Sequence, residues 1–178
     1  MAYTAHNRWY IWVLKPNAVN KEDLFVKMVL HAWDLNNKRV TKTFDGLSDE
    51  QLFAEIAPGK NRVVYLLGHL VAVHDMMLPL LGLGERHYTQ LDEAFVDNPD
   101  REIADLPTVA QLRAHWVNIN DILAKQFASL TAADWLTRHS MVSEEDFAKE
   151  PHRNKLSIII SRTNHASYHL GQIVLVKN

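Results

Sequence analysis

The sequence predicts an all-α fold, a four-helix bundle in up-down-down-up order. Three observations carry this. Apolar residues recur at three- and four-residue spacings through four long segments, the mark of helices that bury one face. No alternating strand of useful length appears, and runs such as Ile158-Ile159-Ile160 lie inside longer helical patterns. The connection between the second and third segments, residues 82–106, is long enough to return along the bundle, so that those two helices can run parallel.

Residues 1–19 form an N-terminal arm, and residues 20–178 the bundle domain. The arm's apolar stretch, Arg8-Trp9-Tyr10-Ile11-Trp12-Val13-Leu14, is too short and too aromatic for a signal peptide. It also falls short of the roughly 20 apolar residues that span a bilayer. Its tryptophans suit packing on the body or on a partner chain. Helix one opens at Asn20, an N-cap with acids behind it, carries stripes at Leu24, Met28, Leu35 and Phe25, Val29, Ala32, and ends near Phe44. Ser48 and Gln51 are spaced as a capping box for a short turn, and Pro58-Gly59 breaks the chain. Helix two spans about 61–81, with Tyr65, Leu66, Ala72, Val73, Met76 and Leu80 inward and His69 among them. At about 100° per residue, His74 points about 140° away from His69. A connection rich in Gly, Pro and Asp follows. Helix three starts at Thr108, boxed by Gln111, and buries Leu112, Trp116 (or His115), Ile119, Leu123 and Phe127 before ending near Leu130. Thr131–Asp134 begins a short helical piece, polar residues run to Asn154, and helix four covers about 155–177.

A chain of 178 residues with 47% hydrophobic and 22% charged residues suits one globular domain. It has no cysteine, which excludes disulfides and thiolate metal sites and points to a reducing, cytoplasmic setting. Any metal must be held by His, Asp, Glu or water. A net charge of −2 gives no electrostatic footprint for nucleic acid, and no segment reads as a membrane partner.

Ten histidines are many for this length. His165 and His169, at i and i+4, share a face about 6 Å apart along the axis, close enough for both rings to reach one ion. The same spacing arises by chance as two polar residues beside a core. His69 occupies a core-facing position where Leu would fit, and a buried imidazole needs partners for both nitrogens. Either neighbours satisfy it or a metal does. Three His ligands leave coordination positions open for water or substrate, as catalytic sites do. Other templates are absent. Residues 165–169 read His-Ala-Ser-Tyr-His, without the Glu of the zincin motif, and no Glu-x-x-His occurs anywhere.

Leu66-Leu67-Gly68-His69-Leu70 and Asn164-His165-Ala166-Ser167-Tyr168-His169-Leu170-Gly171-Gln172-Ile173 together resemble the DinB/YfiT-like superfamily of small four-helix metalloproteins. Its hallmark is one histidine midway along helix two, plus His-x-x-x-His followed by Gly-Gln-Ile near the C-terminus. The resemblance spans roughly residues 20–177. It implies a homodimer and a divalent metal, commonly nickel or zinc, on His69, His165 and His169. It also implies a small-molecule substrate and a metal-dependent reaction of the thiol S-transferase or hydrolase type, with a low-molecular-weight thiol as possible cofactor. Members often carry an acid a few positions after the helix-two histidine, where this chain reads Val71-Ala72-Val73-His74-Asp75, and a base after the second histidine of helix four, where it has Leu170. Gln172, His31 and His115 are the candidates for groups beside the ligands; Gln172 reads equally as a core cap, and His31 and His115 as solvated or capping residues. Asp34, Asn37 and Asn118 read as solvated or capping residues, and Trp33 and Trp116 as core. The competing class is a non-catalytic dimerising bundle whose histidines are structural or vestigial.

Overall fold

The structure, a computed structural model, describes residues 20–177; the arm expected at 1–19 lies outside them. The described residues form helices and their connections, with two isolated bridges, Glu55 to Arg62 and Arg138 to Asn154, and no strand. The helices are α1 (Lys21–Asp45), α2 (Asp49–Phe53), α3 (Val63–Asp75), α4 (Met77–Leu81), α5 (Val109–Ala128), α6 (Ala132–Trp135), α7 (Glu144–Lys149) and α8 (Lys155–Ile173). The capping residues read from the sequence act as such. Asn20 accepts from Glu22 N–H, and Ser48 and Thr108 each form a capping box; Thr131, where the sequence places only the start of a short helical piece, forms a third with Asp134. α7, capped by Ser143, occupies a stretch the sequence suggested was merely polar.

α1 packs along α8, and α3 along α5, with α3 also meeting α8. The inward stripe of α5 is as expected: Leu112, Trp116, Ile119, Leu123 and Phe127 are all buried. Arg113 donates to the Phe44 and Leu47 carbonyls at 2.6 and 2.8 Å, which satisfies the end of α1 and holds it beside the start of α5.

α1 departs from expectation. Leu24, Phe25, Met28 and Leu35 face outward, and Met28 is 61% exposed. The buried face is Val26, Trp33, Asn36, Asn37, Val40, Thr43 and Phe44. Trp33 decides the rotation by packing against His74 and Phe127 at ring distances of 4.8 and 6.1 Å.

The second long helix is also shorter than expected. It begins at Val63, because Arg62 N–H is held by Asp100 Oδ2 at 2.7 Å and Val63 N–H by the Ala54 carbonyl. It is interrupted at Met76, since Pro79 cannot donate to the Asp75 carbonyl and its ring crowds that group. The Val63–Leu81 stretch is long and apolar enough to cross a bilayer, yet 72% of that window is buried inside the protein.

Residues 82–106 are not a featureless loop. They contain a 3₁₀ turn (Thr89–Leu91) and a π-helical turn (Glu93–Asp97), and bury Tyr88, Leu91, Ala94 and Phe95. This strap returns along α3. At the far end of α3, the fully buried Asp75 carboxylate accepts from His87 N–H (2.8 Å), Tyr88 N–H (3.0 Å) and Arg86 Nε (3.1 Å). Midway, the Tyr65 hydroxyl donates to the Asn98 carbonyl at 2.9 Å. At the near end, Asp100 accepts from the backbone and guanidinium of Arg62. α5 therefore starts beside the start of α3, and both helices run the same way.

Replacing Asp75 by Ala leaves Arg86 Nε and two backbone donors without their acceptor, while the terminal nitrogens of Arg86 keep Asp92. Urea denaturation should show a loss of about 2 kcal/mol or more. A loss below about 1 kcal/mol would show that the strap is held by its apolar contacts alone.

Candidate metal centre

His69 projects from the middle of α3, and His165 and His169 from successive turns of α8. The Nε2 atoms converge: His69 to His165 is 3.2 Å, His169 to His165 is 3.1 Å, and all three lie within 4.8 Å of one another. Tetrahedral ligands at about 2.0–2.1 Å from one ion stand roughly 3.3 Å apart, so the cluster has the dimensions of a ligand set. The rings meet edge-on, with interplanar angles of 63°, 74° and 90°.

The outer nitrogens explain the convergence. His69 Nδ1 lies 2.8 Å from the Phe95 carbonyl, which can only accept, so Nδ1 carries the proton and Nε2 presents a lone pair. His169 Nδ1 lies 2.8 Å from Gln172 Oε1, with the same result. Two lone pairs thus point at His165 Nε2. A proton there can be shared with only one of them, and His165 Nδ1 is buried with no partner among the described residues. Protonating the cluster is no remedy near neutral pH. Burial, reinforced by His169, His69 and Arg162, lowers His165 to about 4. Burial also lowers His69, against the opposing Phe95 bond, and His169, against the opposing Gln172 bond. A cation accepting three lone pairs resolves the conflict, and the residues present fit one.

Gly68 makes the arrangement possible. A Cβ at this position would sit 2.5–2.6 Å from the Phe95 ring, so only glycine lets Phe95 lie against α3 and present its carbonyl to His69. Sequence reasoning missed the Phe95 carbonyl. The signal available was a glycine inside an apolar helical run, directly before the core-facing histidine.

Gln172, expected beside the ligands, contacts His169 and also donates to the Tyr168 hydroxyl at 3.2 Å. His31 and His115 are not brought to the cluster. His31 is exposed on α1, over a hollow shared with Leu30 and Leu130, and His115 packs on Tyr88 at 4.3 Å. Neither forms a hydrogen bond to the three. Asn118 donates to the Tyr88 hydroxyl, Asn37 to Asn120, and Asp34 pairs with Lys38.

His74 points elsewhere, as the helical angle requires. It is buried between Trp33 and Trp116, at 4.8 and 4.9 Å, and bonded to Asn120 Oδ1. Burial lowers it to about 3, so it is a neutral core residue.

A model described as DinB superfamily matches residues 32–173, which contain all three clustered histidines. No curated protein matches the chain.

Gly68 and Gly171 flank the histidines of the two motifs but should respond oppositely to alanine. Gly68→Ala must displace the fully buried Phe95 ring and should cost about 1–3 kcal/mol in urea denaturation. A Cβ on Gly171 meets nothing within 4 Å among the described residues, and Gly171→Ala should be neutral or stabilising by up to about 1 kcal/mol. Equal effects would contradict the role assigned to Gly68.

Proposed function

The chain belongs to the DinB superfamily, and from that premise we propose that it is a metal-dependent enzyme acting on a small molecule, with one divalent ion, nickel or zinc, held by Nε2 of His69, His165 and His169. The observation that carries this is the convergence of three Nε2 atoms within 4.8 Å, two of them fixed as lone-pair donors by Phe95 and Gln172. Held by these three neutral imidazoles, an ion would keep its full charge with positions open, and would supply Lewis-acid activation of a water or thiol near neutral pH. The reaction class is thiol S-transfer or hydrolysis. A low-molecular-weight thiol suits a protein without cysteine that works in a reducing, cytoplasmic setting.

The protein's own groups do the positioning. Phe95 and Gln172 hold the rings of His69 and His169 so that their lone pairs need no reorganisation. Burial keeps all three imidazoles neutral at neutral pH, ready to bind. The sign follows from lowered proton affinities. Protons displace the metal only well below the ordinary histidine range, so occupancy should be flat from pH 8 to about 6.5 and fall only in more acidic solution.

Elemental analysis of untagged protein offered Ni²⁺ or Zn²⁺ tests the reading. About one equivalent per chain is expected, and His69→Ala, His165→Ala and His169→Ala should each lose most of it. Less than a tenth of an equivalent in the parent would sink the proposal and leave the non-catalytic bundle.

We further propose a homodimer built on the outward face of α1. The support is its contiguous apolar set, Leu24, Phe25, Met28 and Leu35, which the fold leaves unpartnered among the described residues. Light scattering should give twice the chain mass for the parent and the single mass for Phe25→Asp. A monomeric parent would contradict it.

A further inference from the structure

Arg162 lies on α8 one turn before His165 and two turns before His169, within about 60° of both around the helix. It is half-buried, and its Nε is wholly buried with no hydrogen-bond partner among the described residues. The other half-buried arginines, Arg62, Arg86, Arg113 and Arg153, all donate to carboxylate or carbonyl oxygens. Arg162 donates to nothing and meets no carboxylate within 4.0 Å among the described residues. Residues 1–19 and 178 include no Asp or Glu.

Burying the Nε donor of a guanidinium without a partner is costly, and the terminal nitrogens of Arg162, which are not among the buried atoms, stay open to an anion. The surroundings agree. α8 contains no Asp or Glu, and the histidine cluster includes no carboxylate. Arg162 is near enough for its charge to lower the proton affinities of His69 and His165. With a divalent ion in place, three positive charges would share one face, and no carboxylate pairs with the guanidinium among the described residues. The planar guanidinium fork matches a carboxylate in two-point contact, which a simple cation cannot reproduce.

We propose that Arg162 is the specificity residue of this centre: it takes the carboxylate of a small organic acid whose reacting group lies at the histidine cluster. The assignment rests on the metal reading above and narrows its substrate class to acids.

Titration calorimetry on the Zn²⁺-loaded full chain tests it, with 3-mercaptopropionate and its neutral counterpart 3-mercaptopropan-1-ol as probes. The parent should bind the acid about tenfold or more tightly than the alcohol. Arg162→Gln should erase the preference while zinc content and affinity for the alcohol stay unchanged, and Arg162→Lys should retain part of it. A parent without preference, or a preference that survives in Arg162→Gln, would overturn the assignment. Zinc content measured on the same samples separates the two readings. If the parent takes up no zinc, the metal reading fails, and propionate binding to the metal-free chain decides for Arg162. Binding that Arg162→Gln abolishes supports the anion site, and no Arg162-dependent binding refutes it.

Discussion

The hydrogen bond from His69 Nδ1 to the Phe95 carbonyl is the contact on which the rest of the site depends. It fixes one tautomer and one ring orientation on α3, and so decides that a lone pair points toward α8. The carbonyl reaches His69 only because the strap runs back along α3, with Asp75 anchoring one end and Asp100 the other. Gly68 removes the one side-chain carbon that would hold the strap away. The strap is therefore both the connection that sets the direction of α5 and the outer support of the histidine cluster.

Two histidines five residues apart on α3 illustrate how helical phase assigns roles. His69 faces α8, where two further imidazoles complete a polar, half-buried cluster. His74 faces the Trp33–Trp116 side, where one amide oxygen and two aromatic faces keep it neutral and structural. Burial lowers the proton affinity of both, so burial alone distinguishes nothing. What differs is whether the remaining lone pair meets others pointing at the same spot.

Much of this was legible in the sequence. The caps at Asn20, Ser48 and Thr108 rest on local chemistry and hold as read, as does the α5 stripe, where one apolar face has no competitor. α1 offers two apolar faces, and periodicity cannot choose between Leu24, Met28, Leu35 and the Val26, Trp33, Val40, Phe44 set; the aromatic contacts of Trp33 with other helices do. The helical turns of the strap were hidden because their stability comes from packing on α3 rather than from their own pattern. Spacing placed His165 and His169 on one face, and the resemblance joined His69 to them, but only coordinates show their nitrogens converging. The supporting carbonyl could not be read at all, since a backbone group leaves no mark on residue identity. Arg162 was visible at the right spacing, yet its lack of a partner is a tertiary fact.

X-ray absorption at the metal edge of the Zn²⁺-loaded protein tests the central claim most directly. Three imidazole nitrogens at about 2.0–2.1 Å, completed by light non-imidazole ligands, are the predicted environment. Zinc bound through one imidazole or none would contradict it.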